Sequence, residues 1–289
     1  MNKDFAWLLG YLLSDGYISR PKYRGKGDER HLSFICKYDD REILYKVKTI
    51  LGTKSNVLEY PQYKSPQARL DVYKVIPLIE EYDDIKTKIP DTIKGFERHF
   101  IRGLFDGDGT LSSRVRKGKT KTFRIGFIDE YQHITEWVAN TIVDTLMLDK
   151  KIPRFVPQSN VWEVMWEGNI ARLIAFWLYH GDIKTCCLER KRQKYAIDVL
   201  DGVEFSSKIS ELLYAVKATL VDNTIEFKLP NISTLPWCHR LQNLLPFNTI
   251  PVFHNKGRRK YYNLYIPPKS RTANMQDISD DIQSKGIVQ

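Results

Sequence analysis

Four cysteines are spread over 289 residues, and no two of them make a C-x-x-C pair. Cys186 and Cys187 are adjacent, a poor arrangement for a disulfide or a zinc knuckle. That scarcity excludes a disulfide-stapled scaffold and predicts a reducing, intracellular setting. Long apolar runs are also absent. The nearest candidate, FAWLLGYLL at 5–13, is far short of the roughly 20 residues that span a bilayer. It has only Lys3 ahead of it and runs into Asp15-Gly16 rather than a small-residue cleavage site, so it does not read as a secretory leader. The expectation is a soluble protein with no membrane partner. Acid is in deficit as well: 35 Asp and Glu face 45 Lys and Arg, a formal charge of +10. Such an excess points toward polyanionic partners, nucleic acid first among them. What is plentiful is core material, since 42% of residues are hydrophobic and 12% aromatic, which excludes a disordered chain.

The chain repeats itself. LLGYLLSDG at 8–16 is echoed by IRGLFDGDG at 101–109, with Gly third, a small residue seventh and Asp-Gly last. Asp84-Ile85-Lys86-Thr87 returns letter for letter as Asp182-Ile183-Lys184-Thr185. Two matches at nearly one offset indicate a duplicated unit of roughly 95 residues.

Patterning yields the same element order in each copy. In the first, helical spacing covers 3–14, strand-like runs cover 17–24 and 31–37, and a second helix runs from Asp39-Asp40 to Gly52. A hairpin at 57–62 and 68–73 and a closing helix at 75–82 follow. The second copy reads as a helix at 97–107, strands at 111–116 and 122–128, a helix at 130–148, a hairpin within 154–166 and a helix at 169–179. A further helix, 188–200, has no counterpart. The unit is α-β-β-α-β-β-α, an α+β pattern with antiparallel sheets.

The chemistry sits at the ends of the repeated helices. Gly10 with Ser14, and Gly103 with Gly107, are four apart and share a helix face, where another backbone can approach. Packing the two stripes together brings Asp15 and Asp108 side by side at the negative ends of two helix dipoles. So anionic a site calls for a divalent cation, and oxygen donors suit Mg²⁺. A metal held between two carboxylates suits phosphodiester hydrolysis.

Both motifs resemble the one that names the LAGLIDADG homing endonucleases, and the period resembles that of their single-chain, two-repeat members. The resemblance covers about residues 1–200, and LERKRQKY at 188–195 is similar to the end of a second repeat. It implies two pseudo-symmetric αββαββα repeats, 1–96 and 97–200, whose saddle-like antiparallel sheets sit over the DNA major groove. It also implies that Asp15 and Asp108 hold Mg²⁺ or Mn²⁺, with backbone near Gly16 or Gly109 as a further donor. The expected protein is a monomer with internal pseudo-twofold symmetry. Family members often carry a lysine at the end of a repeat's second strand, near the scissile phosphate. It falls on Lys37, and the second copy offers about Ile128 in its place, which predicts unequal cleavage of the two strands. Asp106 matches Leu13 in the first copy and reads as structural, as does Cys36.

Two basic runs follow the motif helices: Arg20, Lys22, Arg24 and Lys26 in the first copy, and Arg114, Arg116, Lys117, Lys119, Lys121 and Arg124 in the second. A two-stranded ribbon fits the major groove, where Arg and Lys read guanine and contact phosphate. Gln62, Lys64, Arg69 and Arg154 are candidates to extend these surfaces. Residues 201–289 read as a small α/β extension with helices at 207–220 and 235–245, strands at 224–229, 249–253 and 261–266, and a polar tail from 267. Its basic turn carries Lys256, Arg258, Arg259 and Lys260, suited to further DNA contact. The leading expectation is a site-specific homing endonuclease making a metal-dependent double-strand break in a long DNA target. The alternatives are an RNA maturase that assists intron splicing on the same scaffold, with intron RNA as partner, and a cleavage-deficient DNA-binding protein. The resemblance implies an intron-encoded protein, and Met1-Asn2 with the lack of a terminal His-Asn pair predicts a freestanding chain.

Overall fold

A computed structural model describes residues 1–19, 31–73, 75–114, 122–146, 148–180, 187–200, 212, 219–221, 224–226, 250–256 and 259–265. The first helix, α1 (Lys3–Asp15), starts where the Asn2 side chain accepts the Phe5 amide at 2.8 Å, replacing a partner that the first turn lacks. It stops where Gly16 turns extended into β1 (Gly16–Ser19). Next come β2 (His31–Lys37), a 3-10 turn at Tyr38–Asp40 and α2 (Glu42–Leu51). Gly52 closes α2 in the left-handed conformation, φ 59°, at no side-chain cost. Strands β3 (Val57–Tyr60) and β4 (Gln67–Val72) and helix α3 (Ile76–Ile85) complete the first repeat.

The second repeat runs α4 (Glu97–Asp108), β5 (Thr110–Arg114), β6 (Thr122–Asp129), α5 (Gln132–Leu146), β7 (Arg154–Val156), β8 (Val161–Glu167) and α6 (Gly168–Tyr179). Helix α7 (Glu189–Asp198) follows it. Two four-stranded antiparallel sheets result, in the orders β1-β2-β4-β3 and β5-β6-β8-β7. The architecture is therefore the α+β, two-repeat αββαββα fold.

Alternation along the strands separates the faces. In the first sheet Leu32↔Val72 and Phe34↔Leu70 are buried under the helices, while Ile35↔Arg69 and Lys37↔Gln67 lie on the open face. In the second, Ile125↔Trp166 and Phe127↔Val164 are buried, and Arg124↔Glu167 and Ile128↔Glu163 are open. Between the layers α1 and α4 run through the middle of the core, with Trp7, Leu8, Leu9, Phe100, Ile101 and Phe105 fully buried. Each such side chain contributes roughly 1.5–3 kcal/mol of transfer free energy.

A third antiparallel sheet lies in the C-terminal region, built from β9 (Thr219–Val221), β10 (Thr224–Glu226), β11 (Ile250–Lys256) and β12 (Arg259–Tyr265). Two expectations are corrected here. Thr219 and Leu220, read as the end of a helix, are on a strand. Lys256, Arg259 and Lys260, read as a turn, belong to paired strands, because the register Lys256↔Arg259 leaves only 257–258 between them. Pro251 is tolerated because, among the described residues, β11 is an edge strand of this sheet. Leu212 is helical and buried, consistent with the helix expected there. The rest of 207–218, the helix expected at 235–245 and the tail from 267 lie outside the described residues. Among the described residues, no helix is long and apolar enough to cross a membrane.

Candidate active site at the meeting helix ends

The two motif helices touch backbone to backbone. A Cβ added to Gly10 would overlap the Phe100 carbonyl oxygen and stand 2.8 Å from the Leu104 nitrogen. One added to Gly103 would overlap the Trp7 carbonyl oxygen and stand 2.7 Å from the Tyr11 nitrogen. Gly107 faces Ser14, and its missing Cβ would lie 3.4 Å from the Asp15 carboxyl carbon. The small residues thus let the C-terminal ends of α1 and α4 converge.

At that convergence Asp15 is half-buried and Asp108 opens to solvent. Burial, and then the charge of Asp108, push the Asp15 carboxyl up to about 6. The Tyr11 hydroxyl, one turn back, donates to Asp15 and opposes part of that rise. Partial burial raises Asp108 as well, and Lys191 offsets it. Across from this pair Asp129 is also pushed up to about 6, first by burial and in smaller part by Glu130 and Asp108.

Lys191 is the functional neighbour that sequence reasoning missed. It is buried, and its ammonium donates to the carbonyls of Phe105, of Gly107 at 3.0 Å and of Gly109 at 2.7 Å, capping the end of α4. Burial drives its pKa down to about 8, while Asp106, Asp15 and Asp108 pull the other way. The signal was available: Leu188, Lys191 and Tyr195 share one helical face, and two of the three are apolar or aromatic.

Asp106 is a structural junction. It is buried and accepts from Trp7 Nε1 at 2.9 Å, the Tyr179 hydroxyl at 2.8 Å and the Leu188 amide at 2.9 Å. These bonds tie α1 of one repeat to α4, α6 and the start of α7. Cys36 stays a thiol, because burial pushes it up to about 12.

A cavity of about 460 Å³ opens beside Asp15 and is lined by Lys37, Asp40, Gln67 and Arg190 among others. Arg190 reaches back to Asp40 of the first repeat at 3.0 Å. Lys37 thus shares a wall with Asp15. Strand register corrects its counterpart. Tyr17↔Ser33 and Thr110↔Gly126 are equivalent pairs, so Ile35 matches Ile128, Cys36 matches Asp129 and Lys37 matches Glu130. A lysine on one side therefore faces an acid, not an isoleucine, on the other.

The expected DNA-contact residues are only partly placed. Arg114 is exposed on β5. Arg124 is not a free cation, since it pairs across the sheet with Glu167 at 2.6 Å. Arg69 pairs with Asp71 at 2.8 Å and Arg154 with Glu163 at 2.6 Å. Gln62 and Lys64 are exposed. Arg20, Lys22, Arg24, Lys26, Arg116, Lys117, Lys119, Lys121 and Arg258 lie outside the described residues.

Among the described residues, no group of three or more His, Cys, Asp or Glu side chains gathers into a metal cage. The donor set instead suits a hard cation shared between helices: two carboxylates whose ionised forms are disfavoured until a positive charge joins them. Gly109 is a poor extra donor, because its carbonyl already accepts from an ammonium that would repel a cation.

No family model and no curated protein matches the chain. Among solved structures it is similar to I-DmoI in complex with DNA and Ca, at 15% identity and a TM-score of 0.47, over 65% of this chain and 97% of that one. It is similar also to the LAGLIDADG homing endonuclease I-GzeII in complex with its DNA target, at 8% identity and a TM-score of 0.45, over 77% and 99%. A third is the LAGLIDADG meganuclease I-AabMI bound to uncleaved DNA, at 11% identity and a TM-score of 0.45, over 70% and 92%. At such identities and scores the likeness assigns no activity, and the chemistry has to come from the site.

Proposed function

We propose that this chain is a monomeric, site-specific DNA endonuclease of the homing type, hydrolysing a phosphodiester in each strand of a long duplex with Mg²⁺ or Mn²⁺. The observation that carries this reading is the Asp15–Asp108 pair: two acids from different repeats stand where the C-terminal ends of α1 and α4 converge, and Asp15 is pushed up to about 6. Bound between them, a divalent cation would supply Lewis-acid polarisation and a water of lowered pKa. The protein's own share is positional. Tyr11 orients Asp15, and Lys191 fixes the turn that carries Asp108. Lys37 offers positive charge near the cavity, where charge on a scissile phosphate would need it. The open sheet faces on either side would hold the duplex, with base-reading and phosphate contacts divided along them.

The test is to incubate the full chain with a library of duplex targets and Mg²⁺, Mn²⁺ or Ca²⁺. One recurrent double-strand break, lost in Asp15→Asn and Asp108→Asn while binding survives, is the expected result. Duplex binding with no break under any metal would overturn the nuclease reading and leave a DNA-binding protein. Binding to intron RNA alone would overturn it in favour of a maturase.

A further inference from the structure

The third sheet has the strand order of the other two. Counted from its own first strand, each runs first-second-fourth-third: β1-β2-β4-β3, β5-β6-β8-β7 and β9-β10-β12-β11. All neighbours are antiparallel. In each, the fourth strand is inserted beside the second, which requires a long connection from second to third. Those connections, residues 38–56, 130–153 and 227–249, are similar in length. One element is changed. Asp15-Gly16 and Asp108-Gly109 stand at the entry to the first two sheets, whereas Lys217-Ala218 precede β9. A carboxylate is absent from that place, so the third unit can take no part in metal chemistry of the kind proposed for the first two.

We infer that the C-terminal region is a third copy of the repeat, without its acid, and that it binds duplex DNA beyond the stretch covered by the first two sheets. The surface is the β11–β12 ribbon. Residues opposite each other in an antiparallel pair share a face, and successive pairs alternate. Lys256↔Arg259 and His254↔Tyr261 therefore share one face, and Phe253↔Tyr262 and Pro251↔Leu264 the other. In the first two sheets the rows holding Phe34↔Leu70 and Phe127↔Val164 are covered, and those holding Lys37↔Gln67 and Arg124↔Glu167 are open. The same register sets Asn255↔Lys260 on the Phe253 side, so the ribbon carries a cation on each face. From Ile250 to Tyr265 there are four Lys or Arg and no Asp or Glu. A cationic two-stranded ribbon is complementary to phosphate and fits a major groove.

The inference rests on the reading of the chain as a DNA-binding nuclease, and the experiment separates the two. The full chain is titrated with mixed-sequence duplexes of about 20 and about 40 base pairs at several salt concentrations, lengths chosen so that only the longer exceeds what two sheets of a few strands each would cover. K256Q/R259Q should flatten the salt dependence on the longer duplex by about 1.8, at about 0.9 for each phosphate no longer neutralised, and leave the shorter one unaffected. The charge-keeping K256R/R259K should keep the parent slope, and K48Q/K54Q, on and just after α2, should match the parent, which shows that net charge alone is not responsible. A melting curve for each variant shows that it is folded. If the parent binds neither duplex, the nuclease reading falls and takes this inference with it. If the parent binds and K256Q/R259Q keeps its slope, this inference alone falls. It falls equally if K48Q/K54Q flattens the slope as much.

Discussion

Trp7 donates its indole N–H to Asp106 Oδ2 at 2.9 Å, joining the motif helix of one repeat to that of the other. Because both groups are fully buried, neither has water as a substitute partner. Trp7→Phe should cost about 1–3 kcal/mol. Asp106→Ala should cost more, since it also strands the Tyr179 hydroxyl and the Leu188 amide. Urea melts of both single variants and the double variant check this. Strictly additive costs would show that the two groups are not coupled.

Gly10→Ala and Gly103→Ala should each destabilise the fold by at least the roughly 1–3 kcal/mol usual for overpacking. The obstacle at each is a backbone carbonyl, which cannot rotate away as a side chain can. An unchanged melting temperature for either would place the helices farther apart than they are here.

Metal should stabilise the protein through Asp15 and Asp108. The folded pKa of Asp15 lies above its unfolded value, so its ionised form is a penalty at neutral pH that is relieved as pH falls through about 6. A bound cation would relieve the same penalty. Thermal unfolding at pH 7.5 or so should shift upward with Mn²⁺ and return with chelator. Asp15→Asn should raise the metal-free melting temperature and abolish the shift.

His99 provides a pH dependence of the opposite sign. Burial, then Arg102 and Arg98, lower its pKa to about 4, and its Nδ1 lies 3.0 Å from Arg102 Nη2, a group that can only donate. The imidazole must therefore stay neutral in the folded state. Between its unfolded value near 6.5 and about 4 the unfolded chain binds more protons, so this contribution is lost as pH falls through that window. His99→Asn should flatten the acid limb of a stability–pH profile, and an unaltered limb would exclude this residue as its source.

Lys37→Met should slow cutting of one strand more than the other, so that nicked product accumulates. Its counterpart is Glu130, so the two half-sites differ in charge sign and not only in the presence of a lysine. Glu130→Lys should reduce the disparity between strands. Equal slowing of both strands in Lys37→Met would remove Lys37 from the chemistry.

Much of this architecture was legible in one dimension. The duplicated Gly and Asp positions, the boundaries of β2 and the small-residue faces of α1 and α4 are carried by local spacing, which depends only on helix and strand periods. Local spacing cannot say which distant groups meet. That Lys191 would cap α4, that Asp106 would collect donors from three helices, and that Arg124 would be spent on Glu167 all depend on how helices and strands from separate parts of the chain are laid together. The match of Lys37 with Glu130 needed strand register, a property of hydrogen-bonded pairs rather than of either strand. The third sheet shows the division most plainly. Its β11–β12 hairpin could be read from the sequence, yet the order of its strands, with the fourth beside the second, exists only once the strands are paired in space.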